Sequence, residues 1–170
     1  MAENLSIYQN NLQAMMRIMA KLSLASEGLI GKGANALMYQ TGKDMGHIEG
    51  KKLDRTTDLG KALEMLTEAE QGVWDIELWK DVGAADYIFE EDGIQKAYVL
   101  FRECPMRQVC LTHGIKEDGV SCRITHGLFA GMLSEVMGRK VDLHVVHAGP
   151  NACKKIVELK ASTPSNASAG

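Results

Sequence analysis

The sequence has no excess of basic residues and no recognisable targeting signal. It carries 19 Lys and Arg against 22 Asp and Glu, and the formal net charge is −3. Without a basic surface, the chain is a poor candidate for binding nucleic acid. Residues 1–13 show no charged stretch followed by an apolar one. We therefore expect no secretory signal.

Long apolar runs are also missing. No run approaches the roughly 20 residues that a membrane-spanning helix needs, so we expect a cytoplasmic protein that does not bind membranes. In that reducing compartment, cysteines are more often metal ligands or reactive thiols than disulfides. The Gly-x-Ser-x-Gly motif of serine hydrolases is absent as well, and no carboxylate pair indicates acid–base catalysis.

The composition is that of an ordinary globular domain. Apolar residues make up 45% of the 170 residues and charged residues 24%, which is typical of a chain that buries a core. We expect one domain over residues 1–160. Residues 161–170, rich in Ser and Ala, are expected to form a flexible tail.

Four segments carry apolar residues at the three- and four-residue spacing of amphipathic helices: 4–24, 34–53, 58–69 and 121–137. In the second of these, Gly42, Gly46 and Gly50 lie four residues apart and share one face. Glycine costs about 1 kcal/mol per helical position relative to alanine. We therefore predict that another helix approaches this face closely, with contact to a ligand as the alternative.

Five segments are predicted strands: 74–79, 87–90, 94–101, 141–147 and 153–159. The Asp92-Gly93 pair between two apolar runs predicts a hairpin. Helices followed by an antiparallel meander, one helix and a last hairpin indicate an α+β fold. In it the N-terminal helices and one late helix pack on an antiparallel sheet.

The four cysteines, Cys104, Cys110, Cys122 and Cys153, all lie in the last part of the chain. Each falls at or near the end of a predicted element, so one rim of the sheet can bring them together. Four thiolates at one point repel each other unless a cation lies between them. This pattern favours a closed zinc site or an iron–sulfur cluster, and the sequence leaves both open. The alternative is that the cysteines simply fill the core.

Four histidines lie near these cysteines in the sequence: His113, His126, His144 and His147. Strict alternation along a strand puts His147 on the same face as Leu143 and Val145, just before the turn that leads to Cys153. His147 is therefore the best additional ligand. A Cys110–His113 thiolate–imidazole couple is a weaker possibility.

Two stretches resemble the 4-vinyl reductase, or hydrocarbon-binding, domain family. They are the glycine-containing segment 33–46 and the closing segment 122–153, in which a cysteine opens a glycine-containing helix and a strand, a turn and a final cysteine follow. The resemblance covers nearly the whole chain.

This resemblance implies a fold shared with trafficking-complex subunits and nitric-oxide-sensing domains. It also implies a homodimer and an internal pocket for a small apolar ligand. In aromatic-sensing regulators of this family, cysteines and an acidic residue hold zinc near the pocket. On that pattern Cys122 and Cys153 are ligands, His147 stands near the acidic position, and Cys104 and Cys110 are additional.

The sequence thus predicts a non-catalytic module that binds or senses a small molecule, with a cysteine-ligated zinc or iron–sulfur centre beside an apolar pocket. Aromatic candidates for the pocket, each of which has plain core packing as its alternative, are Trp74, Tyr87, Phe89 and Phe129. One competing hypothesis is an iron–sulfur redox protein or small reductase component. Another is a structural subunit that uses zinc only for stability.

Overall fold

The computed structural model describes residues 2–149 and 151–160, with side chains from Ser6 onward. The predicted tail, 161–170, lies outside the described residues, as does Pro150 in the last turn. Within the described part of the chain, no helix combines the length and the apolar character needed to cross a membrane.

The described residues form five helices and five strands. The helices are α1 (Ala2–Ile30), α2 (Gly33–Gly50), α3 (Leu59–Ala69), α4 (Pro105–His113) and α5 (Val120–Met137). The strands are β1 (Ile76–Trp79), β2 (Ile88–Glu91), β3 (Ile94–Phe101), β4 (Val141–Ala148) and β5 (Cys153–Leu159). The predicted α+β class with an antiparallel sheet is confirmed.

All pairings in the sheet are antiparallel, in the order β1-β3-β5-β4, and β2 pairs with β3. β1 and β2 share one edge of β3, β1 along residues 98–101 and β2 along residues 94–97. The β2–β3 turn places both Asp92 and Gly93 at positive φ, as the predicted Asp-Gly hairpin requires. The last strand, β5, lies between β3 and β4 and is therefore interior to the sheet.

Helix α5 forms the centre of the molecule. Its residues Phe129, Leu133 and Val136 are buried in the same core cluster as Val99 of β3 and Val157 of β5. On its other side it packs against α2 over most of its length. α5 is therefore covered by the sheet and by a helix, and its apolar residues extend around the helix as in a buried segment.

The contact between α2 and α5 depends on glycine. A Cβ atom added at Gly46 would stand 2.1 Å from the carbonyl oxygen of Leu128. One added at Gly42 would stand 1.9 Å from that of Ile124. In return, a Cβ at Gly127 of α5 would lie 2.0 Å from the carbonyl oxygen of Tyr39. The two backbones touch, as the glycine spacing predicts.

Helix α4 occupies a stretch whose residues show little helical spacing and which the sequence pattern indicates as a linker. It begins at Pro105, with Cys104 as the N-cap residue, and ends at Gly114 in the left-handed conformation. Proline in the first turn and glycine just past the end are the usual signals of helix boundaries. These local signals were present in the sequence, although the apolar periodicity was not.

We predict that Gly46→Ala destabilises the protein by about 1–3 kcal/mol or more, because the new methyl group meets the α5 backbone. Urea denaturation measures the change. Gly28→Ala is the matched control, since nothing lies within 4 Å of its added Cβ. It should raise stability by up to about 1 kcal/mol. Equal effects of the two substitutions would contradict the packing described here.

Candidate thiol site

The four cysteines gather at the end of the sheet where β3 finishes and β5 begins. Cys153, the first residue of β5, pairs with Phe101 of β3 and with Ala148 of β4. The chain leaves β3 at Phe101, and Cys104 then begins α4, whose inner side carries the fully buried Cys110. Cys122 lies in the first turn of α5. All four are free thiols.

Three of these cysteines surround a small, largely closed cavity. Its volume of about 20 Å³ is enough for one water molecule or a single ion. The side chains that give it its chemistry are Cys104, Cys122, Cys153, Asp118, His126 and Lys155. A ligand the size of an aromatic ring does not fit.

Several buried polar atoms at this cavity have no hydrogen-bond partner among the described residues. They are Nδ1 of His126, Oδ1 of Asp118 and Nε of Arg107, and Oγ of the neighbouring Ser121 is in the same state. His126 Nδ1 lies 3.9 Å from Asp118 Oδ1, which is too far for a hydrogen bond. Buried polar groups are nearly always paired, so a cluster of unpaired ones marks a place where a bound species completes the structure.

Cys110 and Cys122 form a hydrogen-bonded pair. The Cys110 thiol donates to the Cys122 sulfur, and this bond is the largest cause of the lowering of the Cys122 pKa from 9.0 to about 7. A backbone hydrogen bond with Asp118 and the charge of Lys155 lower it further, while burial opposes them. The same bond and burial raise the pKa of Cys110. Cys122 is therefore the most readily ionised thiol of the pair, and thiolates are the nucleophilic and metal-binding form.

Lys155 is a buried lysine beside the thiols. Its side chain is 2% exposed, and Nζ lies 3.7 Å from the centre of the Phe101 ring. Burial lowers the Lys155 pKa, and the nearby Cys104, Cys153 and Cys122 act in the opposite direction. A buried amine is costly unless a negative group compensates it. Lys155 and thiolate sulfur therefore stabilise each other.

Lys155 and His126 were not singled out by the sequence as site residues. The strand pattern contained a signal for Lys155, because Cys153, Lys155, Val157 and Leu159 alternate and all four are buried. A lysine on the inward face of a central strand is rare. His126 is 1% exposed, and burial, followed by the charges of Lys155 and Arg123, lowers its pKa from 6.5 to about 2. The sequence did place His126 among the four histidines near the cysteines, and its position four residues after Cys122 on a helix was the signal that favoured it over His147.

His147 does not lie at the thiol site, and the prediction that it shares a face with Val145 is wrong. A β-bulge interrupts β4, so that Val145 pairs with Lys155 while His147 pairs with Lys154. Val145 and Ala148 consequently face the cavity. His147 is exposed on the opposite face of the sheet. One inserted residue reverses the alternation on which the prediction depended.

The predicted aromatic pocket residues do not line one common space. Trp74 and Phe129 pack edge to face in the core, with ring centroids 5.2 Å apart. Tyr87 and Phe89 line an open groove of about 410 Å³ next to β2, together with Tyr98. A ligand role for these residues stays a prediction.

The donor chemistry of the cavity fits a metal ion, since thiols, an imidazole and a carboxylate are the usual ligands of zinc. The arrangement is not preformed: in the part of the chain that the structure describes, no three His, Cys, Asp or Glu side chains stand together in a group able to hold a metal. Binding there requires the ligand side chains to move closer together.

The structure is an α+β fold with an antiparallel sheet, and a solved structure has the same fold. The chain is similar to the phenol-responsive sensory domain of the transcription activator PoxR, crystallised with phenol. The TM-score is 0.55 at 15% identity, and the match covers 83% of this chain and 74% of that one. The two chains share a fold. No family model matches the sequence, and no curated protein is similar to it. Membership of the 4-vinyl reductase family stays a prediction.

The burial of neutral His126 predicts a loss of stability in mild acid. Below pH 6.5 the His126 imidazole of the unfolded chain binds a proton, whereas in the folded state it binds one only at about pH 2. The stability that depends on neutral His126 is therefore complete above pH 6.5 and is lost progressively below it. Between pH 7 and pH 5 the loss is about 2 kcal/mol.

Urea denaturation of wild type and of His126→Asn at pH 7 and at pH 5 measures this loss of unfolding free energy. The variant should not show the loss. His144→Asn is the control, because His144 is exposed and should keep the wild-type dependence. A His126→Asn protein with an unchanged pH dependence would contradict the prediction.

Proposed function

We propose that this chain is a non-catalytic small-molecule sensory domain with a cysteine-ligated metal centre. The observation that carries the proposal is the convergence of three thiols, His126 and Asp118 on one ion-sized cavity in which polar atoms lack partners. The fold shared with a phenol-responsive sensory domain supports the sensing role.

Cys104, Cys122 and Cys153 are the proposed primary ligands because all three line the cavity. Cys110 supplies a fourth sulfur through its contact with Cys122. Four thiolates give a closed site for zinc. An iron–sulfur cluster, whose potential the protein environment tunes, is the alternative and requires the cavity, which has room for one ion, to open further. With Lys155 beside it, the centre has a lower net negative charge than four thiolates alone would give.

Metal analysis and visible absorption of protein purified without oxygen test this proposal. We expect either a colourless protein with about one zinc per chain, or a brown protein with the broad absorption of a cluster. Cys122→Ser should lose most of the metal, because it removes the thiol that ionises most easily. His144→Ala, at an exposed histidine, should keep it.

Two results would overturn the metal centre: a correctly folded protein that holds no metal under these conditions, or full occupancy in Cys122→Ser. Near-ultraviolet circular dichroism of each sample separates loss of metal from loss of fold.

The proposed physiological form is a homodimer built through α1. This helix has 29 residues, a length of about 43 Å, and an apolar stripe along it faces solvent. The stripe consists of Tyr8, Leu12, Met15, Met19, Leu22 and Leu29. Tyr8 is 72% exposed and Leu12 61%, which is unusual for a contiguous stripe on a monomer.

The spacing of the stripe supports a second copy of the chain as the partner. From Tyr8 to Leu22 its residues alternate four and three apart, and Leu29 follows seven residues later, which is the heptad spacing of a coiled coil. Such a stripe buries itself best against a helix that carries the same repeat. The same copy can also cover Leu37 and Ile48 of α2, which are 50% and 61% exposed.

We expect light scattering of wild type to give twice the chain mass, and the combined Leu12→Glu and Leu22→Glu variant to give the monomer mass. Charges placed in the seam of a coiled coil oppose association. Leu111→Glu, at an exposed leucine of α4, is the control and should stay dimeric. A monomeric wild type at micromolar concentration would exclude this interface.

A further inference from the structure

A groove between α1 and α4 lies apart from the thiol cavity and is far larger than it. Its volume is about 570 Å³, within the range of small-molecule pockets. The thiol cavity, at about 20 Å³, holds one ion at most. Any organic ligand that acts on the thiols therefore has to bind outside them.

The groove combines an apolar floor with charged and polar walls. Met16 and Val109 form the floor and belong to the small core cluster that also contains Cys110. Arg17 and His113 stand on the walls, and Glu103 is the single carboxylate of the lining. No ion pair within 4 Å involves any of these three charged or ionisable side chains in the described part of the chain.

We propose that this groove binds a small amphipathic anion, a molecule with an aromatic or aliphatic body and one carboxylate or sulfonate head. The body lies on Met16 and Val109. The guanidinium of Arg17 binds the head, and His113 offers a further hydrogen-bond donor. This inference rests on the proposed sensory function and assigns it a ligand site and a ligand class.

Glu103 makes the charge of the groove asymmetric. It lies just before α4 and has a positive φ of 31°, a conformation that is strained for a residue with a side chain. Its carboxylate repels the bound anion, while Arg17 attracts it. Removal of either charge therefore changes the affinity for an anion in opposite directions, which a purely hydrophobic site would not do.

Helix α4 connects the groove with the thiols because it forms a wall of both. Its outer residues Gln108 and Val109 line the groove. Its inner residue Arg107 lines the thiol cavity, and its N-cap residue Cys104 does the same. A ligand wedged against the outer face displaces a helix of nine residues that carries two of the four thiols. Occupancy of the groove thereby alters the exposure of the Cys110–Cys122 pair.

The probe for the test is 8-anilinonaphthalene-1-sulfonate, which has an aromatic body and one sulfonate. Fluorescence titration of the full chain should show saturable binding. Arg17→Gln should weaken it about tenfold or more, the usual effect of losing a hydrogen bond to a charged group. Glu103→Gln should tighten it. Arg55→Gln, at an arginine whose side chain is 75% exposed and paired with Glu135, should change nothing.

Two tryptophan substitutions test whether the probe binds in this groove. Thr112→Trp fills the groove from its exposed rim and should abolish binding of the probe. Leu111→Trp, one residue away, exposed and outside the groove lining, should leave binding intact. Bound probe should also change the rate at which a disulfide reagent modifies the thiols in wild type, and this change should be missing in Thr112→Trp.

Binding that is insensitive to Arg17→Gln and Thr112→Trp would place the probe elsewhere, on the α1 stripe for example, and would overturn the proposal. Unsaturable binding would do the same. Metal content distinguishes this failure from failure of the proposed function: the groove variants should keep their metal, whereas Cys122→Ser, which loses the metal centre, should still bind the probe saturably, with an affinity shifted only by the coupling through α4.

Discussion

The close approach of α2 to α5 is the constraint on which the rest of the structure depends. At Gly42 and Gly46 on one helix and Gly127 on the other, carbonyl oxygens occupy the space where side chains would be. The approach holds α5 between α2 and the sheet, so that its apolar residues are buried on both sides. Because α5 also carries Cys122 and His126 in its first turns, the same contact fixes where these two side chains lie.

The polar and ionisable side chains buried at the thiol site make the core less stable. A lysine, an imidazole and several thiols are buried at one end of the sheet, where apolar residues would be more stable. Natural proteins break the rules of core composition mostly at functional sites. The lowered pKa values of Cys122 and of His126 are consequences of this arrangement: the first favours a thiolate, and the second keeps the imidazole neutral, the form that binds a metal.

Helix α4 gives the molecule a means of communication between two kinds of site. It is short, it begins at a cysteine, and it packs between the groove beside α1 and the thiol cavity. Short helices held by few buried residues shift more readily than the elements of the central core. In the proposed sensor, α4 is the element next to the ligand, and the central α2–α5 pair is the frame on which it packs.

The sequence by itself determined the local features that depend on spacing between near neighbours. The helical glycine face, the Asp92-Gly93 hairpin, the antiparallel strands and the class of fold all follow from periodicity and turn chemistry. Only the tertiary structure decided which residues form the site. A single bulge in β4 turned His147 away, and β5 inserted between β3 and β4 carried Lys155 inward to meet the cysteines of α4 and α5. Such contacts join residues far apart in the chain, and no local pattern encodes the packing that brings them together.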